Sequence, residues 1–148
     1  MADLSKRRVY VMDCGDFVKI GVSCSAELRR NQIPYKVSQY YCTEPIGNAF
    51  EIENCIHKIL RGNRADGIQG REYFNIEFQT ACNLLKAVCD SENDKARAVI
   101  DSLDGQTIDK SFLEFICALL VLPKADLILL SYVARGLEAR ETLLRHGK

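Results

Sequence analysis

The chain lacks most of what builds a metal cage or a covalent staple. Only two histidines occur, His57 and His146, too few for a His-rich metal site. The seven cysteines (14, 24, 42, 55, 82, 89 and 117) are odd in number and form no C-x-x-C pair. This excludes a zinc ribbon and a disulfide framework, and predicts reduced, mostly buried thiols in a cytoplasmic protein. There is no charge excess: 20 Lys+Arg balance 20 Asp+Glu, without the basic surplus that usually accompanies phosphate neutralisation. No apolar run reaches the ~18 residues of a membrane span; the longest, near Phe112 to Leu122 and Leu127 to Val133, are split by Pro123-Lys124-Ala125-Asp126. The opening MADLSKRRVY has no apolar segment of the signal-peptide kind, which predicts no export. The glycines of GNRADGIQG (62–70) fit neither a Walker nor a Rossmann spacing, so no phosphate cradle is expected. Internal repeats and low-complexity runs are absent too.

What is present suits one compact domain, or a small domain with an appendage. A length of 148 residues with 47% hydrophobic and 27% charged positions is a soluble globular composition with enough apolar side chains for a core. Charge is slightly uneven. Residues 1–76 hold 11 basic against 9 acidic residues, and residues 77–148 hold 9 against 11.

The stretch VYVMDCGDFVKIGVS (9–23) reads as a β-hairpin. Its β-branched and aromatic runs flank Asp13-Cys14-Gly15-Asp16, which is turn chemistry. A four-residue loop there places Tyr10 opposite Lys19, and it puts Val9, Val11, Val18 and Ile20 on one apolar face. A phenol beside an ammonium is either an exposed cross-strand pair or an activated hydroxyl, since the cation favours phenolate. Lys6-Arg7-Arg8 before the hairpin reads as a solvated lead-in or a phosphate contact. Ser23 or Ser25 can cap a short helix in AELRRNQIP, ended by Pro34. Arg29 and Arg30 project from its middle, and an arginine here either reaches across the hairpin's polar face or stays on the surface.

YKVSQYYCT (35–43) alternates as a third strand. Ala49 to Arg61 is the clearest helix of the first half, with Ala49, Ile52, Cys55, Ile56, Ile59 and Leu60 on one stripe. Glu53 falls at the margin of that stripe and His57 one turn later on the same flank. This is either a surface Glu–His pair or a partly desolvated carboxylate presented to a metal. REYFNI (71–76) is short and β-prone. From Glu77 the pattern turns helical, with helices expected over 77–89, 93–103, 108–122 and 123–145. The last two are apolar enough either to pack onto the first half or to pair with a second copy.

The order of VYV, VKIG, a Ser-containing turn, an Arg-bearing helix, a third strand, E-x-x-I-H-K on a helix and EYF resembles the GIY-YIG nuclease superfamily. It is most similar to the K-I-G branch common in phage and bacterial proteins, over residues 8–76. The resemblance implies an α+β fold: a small three-stranded antiparallel sheet flanked by helices (1–76), then an all-helical extension (77–148). It also implies a metal-dependent DNA endonuclease. Tyr10 matches the first-motif tyrosine, Lys19 stands where the second motif has tyrosine, and Gly21 matches the motif glycine. Arg29 is the helix arginine that would hold a phosphate oxygen. Glu53 is the single ligand of Mg²⁺ or Mn²⁺, and His57 follows it four residues later. Glu72 is the glutamate of E-[WY]-F. On this reading Tyr10, helped by Lys19, would deprotonate the attacking water, and His57 would position water or protonate the leaving group. DNA is the implied partner, with a possible homodimer through the C-terminal helices and no membrane. The rival reading is a non-catalytic module of the same fold that binds nucleic acid or a partner protein, such as a phage-type regulator or inhibitor.

Overall fold

The computed structural model describes residues 6–68, 70, 72–91, 93–103 and 105–121. Four antiparallel strands form one sheet in the order β3-β1-β2-β4. β1 (Arg8–Asp13) and β2 (Val18–Ser23) are the central hairpin. α1 (Ala26–Gln32) leads to β3 (Gln39–Cys42). α2 (Ala49–Ile59) runs into a single 3₁₀ turn (Arg61–Asn63), and β4 (Tyr73–Phe74) closes the sheet. Then come α3 (Phe78–Asp90), α4 (Asn93–Leu103) and α5 (Lys110–Val121). The α+β class and the helical C-terminal part are as expected. The REYFNI segment adds a short fourth strand to the expected three. The helix expected over 123–145 lies outside the described residues.

The hairpin register differs from the expected one. Asp13 belongs to β1 and pairs with Val18, so Tyr10 stands opposite Gly21 and Lys19 opposite Met12. The cause is local. The Asp13 carboxylate accepts from the Gly15 amide at 3.1 Å and from Gln39 Nε2 at 3.0 Å. Asp13 thus ends the strand and braces the turn at once, while Cys14 N donates to Phe17 O at 3.0 Å. The loop is therefore Cys14–Phe17. A slip of two in pairing leaves the faces intact, so Val9, Val11, Val18 and Ile20 still share the buried side.

That side packs against α2 and α3. Ile52, Ile56, Ile59 and Leu60 of the expected stripe are buried there with Phe74 and Leu85. The opposite side carries a second, smaller core of Tyr10, Met12, Ala26 and Val37. It forms because α1 and the segment after it fold back over the hairpin. Ser25 starts α1, its Oγ accepting from Leu28 N at 3.3 Å, which satisfies one of the helix's orphan amides. Tyr10 and Lys19, on this covered side, are 1% and 6% exposed; they are not an exposed cross-strand pair. Only Cys82 of the seven cysteines is buried, and Cys24 and Cys89 are exposed, so the expectation of mostly buried thiols does not hold.

The lead-in arginines serve the fold. Arg7 lies over the Phe50 ring at 4.8 Å, and Arg8 Nη1 donates to Thr43 O at 3.0 Å. α3 and α4 pack on α2, and Leu113, Ile116, Leu119 and Leu120 of α5 are buried within the chain. Among the described residues, no helix is long and apolar enough to cross a membrane.

One buried amide joins the sheet half to the helical half. Asn63 Nδ2 donates to Ile108 O at 2.8 Å, and Asn63 Oδ1 accepts from Ile108 N at 2.9 Å. Thr107 Oγ1 also donates to Gly62 O at 2.7 Å. Replacing Asn63 by alanine orphans both Ile108 groups. Each buried unsatisfied group costs about 1–3 kcal/mol. Asn63→Ala should therefore lower the unfolding free energy by at least about 1–3 kcal/mol, read as a lower urea midpoint, and a midpoint within error of the parent would refute the bridge's importance.

Candidate active site

β2 organises the site because its residues alternate between two covered faces. Lys19 projects to the α1 side, where Tyr10 also lies. The Tyr10 ring lies across Gly21: a Cβ at that position would meet the Tyr10 hydroxyl at 2.5 Å and its Cζ at 2.7 Å. The motif glycine is thus a steric requirement for seating the tyrosine. Burial raises the Tyr10 pKa above its ordinary value, although Lys19 and a hydrogen bond from Arg29 both pull it down. The phenol is therefore neutral near pH 7. A phenolate base poised by Lys19, as expected from the residues, is not the resting state, because desolvation outweighs the two cations.

The Lys19 ammonium lies 3.0 Å from Glu72 Oε2 and 5.1 Å from the centre of the Tyr73 ring. Its pairing is built into the sheet. Lys19 faces Tyr73 across the β2–β4 ladder, and Ile20 N donates to Glu72 O at 2.9 Å. Glu72 thereby gains a concrete part: it neutralises a buried lysine. Arg29 is exposed on α1, and its Nη1 also reaches Gln32 Oε1 at 3.4 Å.

α2 brings Glu53 and His57 to the same strand from the main-core side. The Ile20 carbonyl lies one residue beyond the β2–β4 pairs Val18–Phe74 and Lys19–Tyr73. His57 Nε2 takes that carbonyl at 2.9 Å. A carbonyl only accepts, so Nε2 carries the proton and Nδ1 is the lone-pair nitrogen of the neutral ring. Burial lowers the His57 pKa, against the opposing pull of the Ile20 hydrogen bond, which keeps that neutral tautomer. Protonation of a leaving group from Nε2 would break the bond that seats the ring.

The Glu53 carboxyl is half-buried, and its pKa is pushed up to about 7, first by desolvation and then by the nearby Glu72 charge, with Lys19 opposing. Among the described residues, no hydrogen bond or ion pair reaches this carboxylate. No group of three His, Cys, Asp or Glu side chains gathers in metal-holding positions among them either. The donor set suits a cation held by one carboxylate and otherwise by water, as Mg²⁺ commonly is, and not a protein cage.

The structure thus draws the candidates around the Lys19–Glu72 pair. Tyr10, Glu53 and His57 each sense both members of it, and Arg29 joins through the Tyr10 hydroxyl. Three aromatic residues were not legible as site residues. Phe17, Tyr35 and Tyr73 meet edge to face with centroids 5.0, 5.5 and 5.4 Å apart. They come from the hairpin turn, the segment after α1, and β4, so no sequence spacing joins them. Tyr35 and Tyr73 line an open cleft of about 700 Å³ together with Lys19, Glu72, Pro34, Gly67 and Gly70.

The sheet and its helices form an α+β domain, and its family match makes it a nuclease-associated one. Residues 7–89 match the T5orf172 domain, and the chain belongs to that family. No curated protein and no solved structure matches it.

Two outcomes follow from the electrostatics. A carboxyl whose folded pKa lies above its unfolded value binds more protons folded than unfolded, so stability falls as pH rises from about 4.5 to about 7. Glu53→Gln removes that loss. Its thermal midpoint should gain on the parent between pH 5 and pH 8, and a constant difference across that range would contradict the raised pKa. Glu72→Gln leaves the buried ammonium of Lys19 without its counter-charge, whereas Lys110–Glu77 is an exposed pair at 3.2 Å. The first change should destabilise by roughly 1–3 kcal/mol, and Glu77→Gln by at most about 1 kcal/mol. Denaturation curves of the two variants would check the contrast.

Proposed function

We propose that this cluster is a phosphodiester-hydrolysing centre of the GIY-YIG type acting on DNA. The observation that carries the reading is Glu53: a half-buried carboxylate, raised to about 7, with no protein partner among the described residues, beside a second carboxylate. A fold normally neutralises or solvates such a group, and a divalent cation would do so here. Membership of the T5orf172 family supports the same reading.

The chain's own residues divide the work. The exposed Arg29 guanidinium is the group for a non-bridging phosphate oxygen, through charge-assisted hydrogen bonds that strengthen as negative charge develops. Tyr10 presents a neutral hydroxyl that can orient the attacking water. Arg29 and Lys19 are the two cations that bring its proton affinity down. Lys19 takes the place of the second motif tyrosine, and Glu72 fixes its ammonium at 3.0 Å. His57 offers only Nδ1, as an acceptor for water, because Nε2 is engaged. Glu53, with water completing the shell, would hold Mg²⁺ or Mn²⁺, which when bound polarises the phosphate and stabilises the leaving oxygen.

The second reading, a non-catalytic nucleic-acid or protein-binding module, draws on two observations. Lys19 is already committed to Glu72 and Tyr73, and Tyr10 is 1% exposed. Incubation with plasmid, branched and single-stranded DNA in Mg²⁺ or Mn²⁺ separates the two. Hydrolysis should vanish with EDTA and fall on the order of 100-fold in Arg29→Ala and Glu53→Ala. In addition, Mg²⁺ should remove the stability loss of the parent between pH 5 and pH 8 and leave Glu53→Gln unaffected. Cleavage undiminished in both variants would sink the assignment, and absence of both cleavage and the Mg²⁺ effect would favour the module.

A further inference from the structure

We infer that the aromatic cleft beside Lys19 is a subsite for one unpaired nucleobase, so that the DNA this site takes is single-stranded or locally opened next to the reactive phosphate. The inference rests on the proposed hydrolytic reading for its placement, because Lys19 and Glu72 belong to both the cleft and the cluster.

Three features support it. The first is rigidity. Phe17, Tyr35 and Tyr73 hold one another edge to face at 5.0–5.5 Å, so the Tyr35 ring does not have to be ordered when a ligand arrives. Tyr73 is 5% exposed and Tyr35 is partly exposed, and both line the cleft. The second is chemistry. A phosphate requires donors and no aromatic wall, whereas a base presents a π face to stack and polar edges for the Lys19 and Glu72 heads. The third is shape. Gly67 and Gly70, with φ of +76° and +107°, line the cleft and put no side chain of their own into it. In continuous duplex both faces of a base are occupied by its neighbours, so only an unstacked base can enter such a cleft.

The subsite also accounts for how a chain with formal net charge of zero could hold nucleic acid. Affinity from counterion release requires basic residues. Stacking on an aromatic face does not, and it is tolerant of sequence.

The test measures binding in EDTA, where hydrolysis is off. A single-stranded decanucleotide carrying one 2-aminopurine is titrated with the full chain, beside the same strand in a duplex. Stacking on an aromatic ring quenches 2-aminopurine, so the single strand should darken on binding and the duplex should not. Tyr35→Phe should retain quenching and affinity. Tyr35→Leu, which keeps bulk but removes the ring, should lose quenching and weaken single-strand binding by about tenfold. Quenching that is absent in the parent, or unchanged in Tyr35→Leu, overturns the subsite. The parent measurement decides even if the leucine variant does not fold. Quenched single-strand binding without cleavage under any metal leaves the subsite standing and removes the hydrolytic reading. Cleavage with equal rates on duplex and single strand, unaffected by Tyr35→Leu, does the reverse.

Discussion

The burial of one ammonium sets the terms for the whole site. Lys19 is 6% exposed, and a buried lysine is tolerable only with a counter-charge and good hydrogen-bond geometry. Glu72 supplies the charge, and β4 exists in that place because Ile20 and Lys19 pair with Glu72 and Tyr73 along the same edge. The pair then reaches outward. Its carboxylate raises Glu53, its ammonium restrains both Glu53 and Tyr10, and each of these groups would titrate differently without it. The salt bridge is an electrostatic reference for its neighbours more than a source of stability.

Some of this was legible in the chain before any coordinates. The stripe from Ala49 to Leu60 follows from periodicity, and it fixes Glu53 at a margin and His57 one turn on. The two faces of the hairpin follow from alternation, and they survive a misplaced register because the slip is by two residues. The register itself was not legible. Asp13 can be either turn or strand, and only its hydrogen bonds to Gly15 and Gln39 decide. Burial on the α1 side was equally hidden. Alternation shows that Tyr10 and Lys19 share a face, but what covers them comes from α1 and from aromatics 18 to 56 positions apart in the chain. Long-range covering has no local signature. For the same reason the state of Tyr10 could not be read from its cationic neighbour: the sign of the shift depends on how much water remains.

His57 shows how a motif residue can hold two duties. Its Nε2 binds the Ile20 carbonyl of β2 and so ties α2 to the sheet. Only the remaining nitrogen is left for chemistry. Loss of activity on replacing this histidine would therefore not by itself make it a catalytic group, since the same change loosens α2 from β2 and displaces Glu53 along with it.

The Asn63–Ile108 bridge bears on how this chain can be altered in the course of evolution. Gly62 lies so close to the Gln106 backbone that no side chain fits between them, and the sheet and the helices draw on one continuous apolar cluster. The helical half is consequently not a detachable cassette. A lineage that exchanged it for another appendage would have to rebuild the 3₁₀ turn that leads into the glycine loop, and with it part of the cleft's lining. Changes in substrate choice and changes in the helices would then be inherited together.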